Sequence, residues 1–226
     1  MSGEKKIVLL SCGSFNPITI WHLRMFELAK DYFKRMGGYC VTGGIISPTH
    51  DSYQTPKQLE CGEHRCQMAR LALTPLYGRN HWVRVDDWET KQHKWHRTIE
   101  VIDYQCNKLN EVNTTLKLLC GADLFSSFHV PNLWNDQDIE LIVRKYGLVV
   151  ITREGFDPFN TLKNSPKSHI FRKYQRNVII IEEKIKNRIS STAIRHCIKN
   201  RESIRYLVPD SVIEYINANN LYLFDS

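Results

Sequence analysis

The feature that most constrains the fold is an alternation of short apolar runs with segments of helical periodicity. Six apolar runs have the length and composition of buried strands, and between them apolar residues recur every three or four positions. Such alternation is typical of a parallel sheet covered by helices on both faces. The sequence therefore predicts an α/β fold with a doubly wound parallel sheet. The predicted strands are Lys6–Cys12, Tyr39–Ile46, Trp82–Val85, Leu116–Gly121, Leu148–Thr152 and Val178–Ile181.

Helical spacing predicts four helices between the strands and two after them. The two late helices, Ser190–Lys199 and Pro209–Asn219, predict a small C-terminal helical appendage. The segment Phe156–Phe171 is rich in Pro, Asn, Ser and Lys, and we predict a mobile surface loop there. We interpret residues 1–226 as a single domain, with a core over 1–182 and the appendage over 183–226. The earlier helices are predicted at Ile20–Met36, Leu59–Leu73, Trp95–Leu109 and Asp136–Lys145.

Composition is that of an ordinary globular protein. A chain of 226 residues with 42% hydrophobic and 24% charged residues can bury a substantial core, and this excludes collagenous, disordered and coiled-coil classes. Seven cysteines, an odd number spread along the chain, do not form a disulfide framework, so we expect a reducing compartment. Because its apolar runs are short, we expect neither a signal peptide nor a membrane partner.

The net charge of +7 suits a polyanionic partner without identifying it. Basic residues are dense between Lys163 and Arg205, but acidic residues interrupt them and no aromatic stacking pattern accompanies them. We interpret most of them as a solvated face, with a few bound to phosphate, and expect no nucleic-acid partner. A nucleic-acid-binding module remains the alternative from another class, and strongly salt-dependent binding would reveal it.

A candidate phosphate site follows the first predicted strand. The segment Cys12–His22 reads as a glycine-containing turn that leads into a helix. Gly13 lets the backbone approach a phosphate, and the helix start offers unpaired N–H groups and the positive end of its dipole. His22 falls in the first helical turn, where it could stabilise charge on a phosphoryl oxygen. Alone, the pattern is more often a turn glycine followed by a surface histidine.

A second candidate phosphate site lies near the C-terminus, in Ile189-Ser190-Ser191-Thr192-Ala193-Ile194-Arg195. Serine and threonine at a helix start supply capping hydroxyls and free N–H groups, and Arg195 adds a planar donor one turn later. An ordinary capped helix with a surface arginine would read the same way.

Together, GSFNPITIWH and ISSTAIR resemble the two signatures of the nucleotidylyltransferase superfamily, an HxGH-like segment and ISSTxxR. The segments GIISP, VDDWE, LCGADL, VPNLW and SIRYLVPD lie in the order seen in the eukaryotic nicotinamide mononucleotide adenylyltransferases, which the chain resembles along nearly its whole length. The resemblance implies a Rossmann-like fold and transfer of AMP from ATP to nicotinamide mononucleotide, and plausibly to nicotinic acid mononucleotide, with NAD or deamido-NAD and pyrophosphate as products. It also implies Mg²⁺ carried by ATP, with no metal held by the protein itself.

The resemblance also implies roles for particular residues. His22 and Arg195 would be catalytic and grip the ATP phosphates. The other ATP and phosphate contacts would be Gly13, Ser14, Phe15, Thr19, Asn187, Ser190, Ser191, Thr192, Ala193 and Ile194. The mononucleotide and NAD contacts would be Gly13, Ser14, Lys57, Trp95, Thr98, Gly121, Asp123, Leu133, Trp134 and Glu183. Trp95 and Trp134 suit a flat cationic pyridinium ring, whereas Trp88 is interpreted as core support.

The sequence departs from the superfamily pattern at two positions of the first signature. Thr19 stands where bacterial relatives carry a first histidine, and Trp21 replaces a glycine. Because threonine carries no charge, His22 and Arg195 would supply more of the charge that binds phosphate. The stretch Cys106–Lys117 is short, whereas the nuclear member of the family has a long basic insertion near here. We therefore expect a cytoplasmic location, with mitochondria as the alternative.

Other interpretations of the function also fit the sequence. The acceptor could be another phosphate compound, such as phosphopantetheine, and a chaperone-like second role or a homo-oligomer is compatible with the resemblance. Cys61, His64 and Cys66 supply only three ligands at a predicted helix start, so we predict no structural zinc site. His50 is interpreted as a surface or site-edge residue.

Overall fold

A computed structural model of the protein describes residues 4–53, 58–74, 82–109, 113–186 and 188–223. These residues contain a six-stranded sheet with strand order β3-β2-β1-β4-β5-β6, and the pairs β1–β4, β4–β5 and β5–β6 are parallel. The predicted α/β fold with a Rossmann-like parallel sheet is therefore confirmed. The strands are β1 (Lys5–Gly13), β2 (Tyr39–Pro48), β3 (Val83–Val85), β4 (Thr114–Gly121), β5 (Leu148–Ile151) and β6 (Val178–Ile181).

The helices follow the predicted order with shifted boundaries. The helices predicted from Leu59 and from Trp95 begin three residues later than expected, and the π-helix Ile142–Tyr146 continues the fifth helix. The short fourth helix was missed because six residues carry too little periodicity to recognise. The helices are α1 (Ile20–Met36), α2 (Gly62–Ala72), α3 (Thr98–Leu109), α4 (Ala122–Ser127), α5 (Asp136–Leu141), α6 (Pro158–Asn164), α7 (Ser168–Lys173), α8 (Ser191–Lys199) and α9 (Asp210–Ala218).

The prediction of a surface loop over Phe156–Phe171 is wrong, because this segment contains α6 and the first four residues of α7. Asp157 caps α6 by accepting from the backbone N–H groups of Phe159 and Asn160, and Pro158 occupies the first turn, where its missing N–H costs nothing. Phe171 is fully buried. The turn-forming residues are therefore helix-start signals rather than signs of a mobile loop.

By its internal contacts the chain divides into two compact units. Unit 1 comprises Met1–Ser11, Met25–Gly44 and Arg97–Arg188, and unit 2 comprises Cys12–Arg24, Ile45–His96 and Ile189–Ser226. The interpretation as one domain with a boundary near residue 182 stays a prediction.

The core of unit 1 includes the half of the sheet formed by β4, β5 and β6. Leu118 of β4 pairs with Leu148 of β5, which pairs with Val178 of β6. The four residues of β5 are all fully buried, as expected for a parallel strand covered on both faces. On one side lies an aromatic cluster in which the ring of Phe125 is 5.2 Å from that of Phe171.

Unit 2 contains the helical appendage. Helix α9 packs against α2, and the backbone N–H of Ile20 donates to Leu207 O at 3.1 Å. In the described part of the chain, no helix is both long enough and apolar enough to cross a membrane.

Candidate active site

The loop that follows β1 is anchored to its neighbours in unit 2. The backbone N–H of Thr49 donates to Gly13 O at 2.9 Å, which fixes the end of the strand. Phe15 has a φ of +45° and is buried, and its ring meets the edge of the His22 ring with centroids 5.1 Å apart. The strained Phe15 backbone thus places the phenyl ring in contact with the candidate catalytic histidine.

The orientation of His22 is set by the start of α1. The backbone N–H of Thr19 donates to His22 Nδ1 at 2.9 Å, and the Thr19 hydroxyl lies 2.9 Å from the same nitrogen. This arrangement resembles a capping box, with histidine as the acceptor in place of glutamate. Because Nδ1 accepts from a backbone N–H, the ring proton of the neutral imidazole is on Nε2. His22 therefore presents an N–H donor away from Thr19.

The C-terminal signature forms the start of α8 and bonds directly to the β1–α1 loop. Ser190 is the N-cap residue, and its hydroxyl accepts from Ala193 N–H at 3.0 Å. Ser191 Oγ donates to Pro17 O at 2.8 Å, and Arg195 Nη1 donates to Asn16 O at 2.7 Å. Two segments about 175 residues apart in sequence are thus joined at two consecutive carbonyls.

The first turn of α8 divides into a buried and an accessible part. The Ile194 side chain is fully buried and its N–H donates to Ser190 O, so Ile194 faces the core. Thr192 is exposed and its hydroxyl lies 3.3 Å from Arg195 Nη2. Burial lowers the pKa of the Arg195 guanidinium, but arginine stays cationic at neutral pH. The predicted phosphate contacts of this helix remain predictions.

Arg65 of α2, which the sequence patterns did not predict as a site residue, lies at the centre of this region. Its side chain is fully buried and donates to Ser14 O at 2.8 Å and to Thr49 O at 2.6 Å. It also donates to Glu60 O at 2.7 Å and forms an ion pair with Asp51 at 2.6 Å. An arginine at an apolar position of a predicted amphipathic helix was the available signal. Arg65 holds the loop that carries Ser14.

Glu89 is a second buried charged residue that the sequence analysis did not select. Its Oε1 accepts from Thr49 Oγ1 at 2.8 Å and from His50 N–H at 3.3 Å, directly after β2. Burial raises the pKa of Glu89 to about 7, and these hydrogen bonds only partly oppose the rise.

In unit 1, candidate residues follow the carboxyl end of β4, where ligands bind in open α/β sheets. A Cβ added to Gly121 would lie 2.5 Å from Asp123 Oδ1, so glycine is needed for the carboxylate to lie over the strand end. Asp123 Oδ1 accepts from Leu124 N–H, and Oδ2 accepts from Arg153 at 3.0 Å. Asp123 stays half-exposed and can accept further hydrogen bonds. Arg153 was missed, although a basic residue after β5 was a usable signal.

The remaining unit 1 candidates lie after β6 and around α4. Glu183 donates its N–H to Thr152 Oγ1 at 2.9 Å. Trp134 is half-buried, its indole N–H donates to Ser127 Oγ at 3.0 Å, and its ring packs edge-on against Phe128. Leu133 is 50% exposed, and Thr98 is the first residue of α3.

Trp95 lies in unit 2, where it is 40% exposed and its ring centroid is 5.8 Å from that of Tyr53. Trp88 is half-buried against His96, and His50 bonds to Ser52 and to Gln92 O. Lys57 and Asn187 lie outside the described residues.

The three residues weighed as zinc ligands have separate environments. His64 Nδ1 bonds to the Tyr215 hydroxyl at 2.9 Å, while Cys66 is buried beside Thr90 and Cys61 is exposed. Within the described ranges, no group of three or more His, Cys, Asp or Glu side chains could hold a metal ion.

The comparisons with known proteins identify the class first. A model of the cytidylyltransferase-like family matches residues 10–197, which include both signature segments, so the chain is a member of that family. A solved Plasmodium falciparum nicotinic acid mononucleotide adenylyltransferase complexed with APC superposes with a TM-score of 0.70 at 18% identity, covering 97% of this chain and 98% of that one. That likeness supports the fold.

Sequence relatives define the family more narrowly. A Bos taurus nicotinamide/nicotinic acid mononucleotide adenylyltransferase is 41% identical, covering 100% of this chain and 92% of the relative. The chain therefore belongs to the nicotinamide/nicotinic acid mononucleotide adenylyltransferases. A Drosophila melanogaster nicotinamide-nucleotide adenylyltransferase is also 41% identical, and this chain spans 62% of its length. The recognition made from the two signatures is confirmed.

Proposed function

We propose that this protein transfers the AMP moiety of ATP to nicotinamide mononucleotide or nicotinic acid mononucleotide, forming NAD or deamido-NAD and pyrophosphate. The observation that carries the proposal is the junction of the two signature segments in unit 2. Ser191 and Arg195 bond to Pro17 O and Asn16 O, so the starts of α1 and α8 are held together. Family membership supplies the acceptor.

The proposed chemistry is an in-line displacement at phosphorus. A phosphate oxygen of the mononucleotide attacks the α-phosphorus of ATP, a new P–O bond forms, and the bond to the bridging α–β oxygen breaks. Pyrophosphate leaves with the electron pair. The acceptor phosphate is already ionised at neutral pH, so no general base is required.

Catalysis then depends on positioning and charge stabilisation. The Nε2–H of His22 would donate to a phosphoryl oxygen whose charge increases in the transition state, and its fixed ring needs no reorganisation. Arg195 would direct donors other than Nη1 toward the polyphosphate, because Nη1 is used by Asn16 O. The N–H groups of the first turn of α8 would add further donors.

We propose that Mg²⁺ binds together with ATP. Magnesium keeps most of its waters and commonly binds to substrate phosphates, where it neutralises charge on the leaving group. The donors in this region are cationic, hydroxyl and backbone N–H groups, which suit the phosphates rather than the metal.

Roles in unit 1 and around Trp95 follow from the family. Asp123 would accept from ribose hydroxyls, and Trp134 would stack against a pyridinium ring. In unit 2, Trp95 is predicted to bind the same kind of flat cationic ring. We place the remaining predicted mononucleotide contacts, including Lys57, in the same proposal.

The experiment that tests the proposal is incubation with Mg²⁺-ATP and each mononucleotide, followed by chromatography for NAD and deamido-NAD and an assay for pyrophosphate. Formation of neither dinucleotide would overturn it. For the site, we expect His22→Ala to lower kcat about a hundredfold or more with the fold retained. Trp134→Ala should instead chiefly raise KM for the mononucleotide. Near-normal turnover of His22→Ala would contradict the proposed mechanism.

A further inference from the structure

Tyr222, which follows α9, is buried and bonds into the loop that follows β1. Its hydroxyl donates to Asn16 Oδ1 at 3.0 Å, and its backbone N–H donates to Glu60 Oε1 at 3.0 Å. The residue has a φ of +64°, a conformation that costs energy for a tyrosine. Only 3% of Tyr222 is exposed, so this residue is held in its strained conformation by specific contacts.

Asn16 connects Tyr222 with the candidate catalytic arginine. Its Oδ1 also accepts from Glu60 N–H at 3.2 Å, and its Nδ2 donates to Gln58 O at 2.9 Å. Its backbone carbonyl accepts from Arg195 Nη1 at 2.7 Å. Asn16 is fully buried, so its position depends on these partners rather than on water.

The charges around Tyr222 favour its role as a donor. Burial, assisted by the nearby Glu60 carboxylate, raises the pKa of the Tyr222 phenol, so the hydroxyl keeps its proton throughout the physiological range. Arg195 lies close enough to interact electrostatically with Tyr222. The neutral phenol can therefore donate to Asn16, and it does not form an ion pair with the Arg195 guanidinium.

We infer that Tyr222 is a positioning residue for ATP: through Asn16 it fixes the carbonyl that orients the Arg195 guanidinium. The Asn16 side chain is held by hydrogen bonds to Tyr222, Glu60 and Gln58. Its backbone oxygen accepts from Nη1, one of the two terminal nitrogens of Arg195. The remaining donors of the planar guanidinium acquire a defined direction. Tyr222 thus contributes to substrate binding without touching substrate.

Alternatively, Tyr222 could serve only stability, and the matched control is Tyr215 on α9. Its hydroxyl bonds to His64 Nδ1 at 2.9 Å, and among the described residues neither of these two side chains bonds to the loop after β1. Tyr215→Phe and Tyr222→Phe each remove one hydroxyl from unit 2. Only Tyr222→Phe breaks the connection to Asn16.

The inference rests on the proposed function, and it is tested by steady-state kinetics and by calorimetric binding of a non-hydrolysable ATP analogue. We expect Tyr222→Phe to lower kcat/KM for ATP about tenfold and to weaken analogue binding, with KM for the mononucleotide changed less than twofold. Tyr215→Phe should change each parameter less than twofold. Thermal unfolding checks that both variants are folded at the assay temperature.

Equal behaviour of the two variants, or a parallel loss of the ATP and mononucleotide parameters, would overturn the inference. Should Tyr222→Phe not fold, Asn16→Ser removes the acceptor of the same hydrogen bond, together with the side-chain bonds to Glu60 N–H and Gln58 O, and should give the same loss confined to ATP. If the wild-type protein binds the analogue but forms no dinucleotide, the proposed function fails while the binding comparison still decides the role of Tyr222.

Discussion

At the scale of single residues, Glu89 combines a buried carboxyl with a pKa raised by burial from 4.5 to about 7. A proton is therefore bound more tightly in the folded than in the unfolded protein. The resulting contribution to stability is fully present below about pH 4.5 and is lost as pH rises through about 7. Ionised Glu89 is tolerated because Thr49, His50 and Arg65 face it, but it still weakens the fold.

We predict that Glu89→Gln removes this pH dependence while keeping the acceptor for Thr49 and His50. Between about pH 5 and 7, the free energy of unfolding of the wild type should fall relative to the variant by up to about 1.4 kcal/mol per pH unit. Urea denaturation of both proteins at several pH values measures the two slopes.

Asp87→Asn provides a control of opposite sign. Although partial burial acts to raise it, hydrogen bonds from Lys91 and Arg70 hold the pKa of Asp87 below its ordinary value of 3.8. The stability that Asp87 contributes is lost only as pH falls through that acidic range, so this variant should leave the slope near neutral pH unchanged. Identical slopes for wild type and Glu89→Gln would contradict the prediction for Glu89.

At the scale of secondary-structure elements, α2 carries two arginines in different environments. Arg65 is fully buried and bonds to three backbone carbonyls and Asp51, whereas Arg70 pairs with Asp87 at the surface and is 43% exposed. Removing Arg65 would leave buried carbonyls without donors, which is costly. An exposed ion pair contributes little.

We predict that Arg65→Met lowers the free energy of unfolding by more than about 3 kcal/mol, and that Arg70→Met lowers it by less than about 1 kcal/mol. Chemical denaturation measures both values in the same helix. The Arg65 variant should also lose ATP binding, since Ser14 O and Thr49 O lose their common donor. Equal stability of the two variants would show that the buried contacts are not stabilising.

The elements also show what sequence patterns could and could not predict. Strands β5 and β6 were predicted to within a residue because each is a continuous apolar run, as expected for parallel strands; β5 is fully buried and β6 is partly buried. The start of α8 was predicted because Ser190 is a side-chain cap that sequence displays directly. Helix α6 was missed because the same residue types that cap helices also form loops.

Long-range polar contacts were beyond the sequence patterns. The signatures identified Arg195 and His22 by resemblance, but they did not show that Arg195 bonds to Asn16 O or that Thr19 sets the tautomer of His22. Tyr222 and Asn16 are 206 positions apart, and no local periodicity relates them. Such pairs depend on the tertiary fold, so they become visible only with coordinates.

At the scale of the whole molecule, the chain has a net charge of +7, but several of its basic residues form ion pairs with acidic ones. In the basic C-terminal third, Lys173 pairs with Glu140 and Arg188 pairs with Glu154, each at 2.9 Å. Lys167, which is mostly buried, pairs with Asp136. This pairing favours an interpretation in which the surplus charge assists small anionic substrates rather than following a nucleic-acid backbone.

We predict weak, non-specific binding to duplex DNA, with a Kd of about 10⁻⁵ M or weaker at physiological salt, because only the unpaired cations release counterions. A fluorescence-anisotropy titration of labelled duplex at 50 and 200 mM salt measures this, and NAD formation is assayed in the same buffers. The His22→Ala variant is the matched control, since it should bind DNA as the wild type does. DNA binding that stays tight at 200 mM salt would favour the nucleic-acid interpretation. Dinucleotide formation that persists at a salt concentration where DNA binding is lost would show that catalysis does not depend on the net charge.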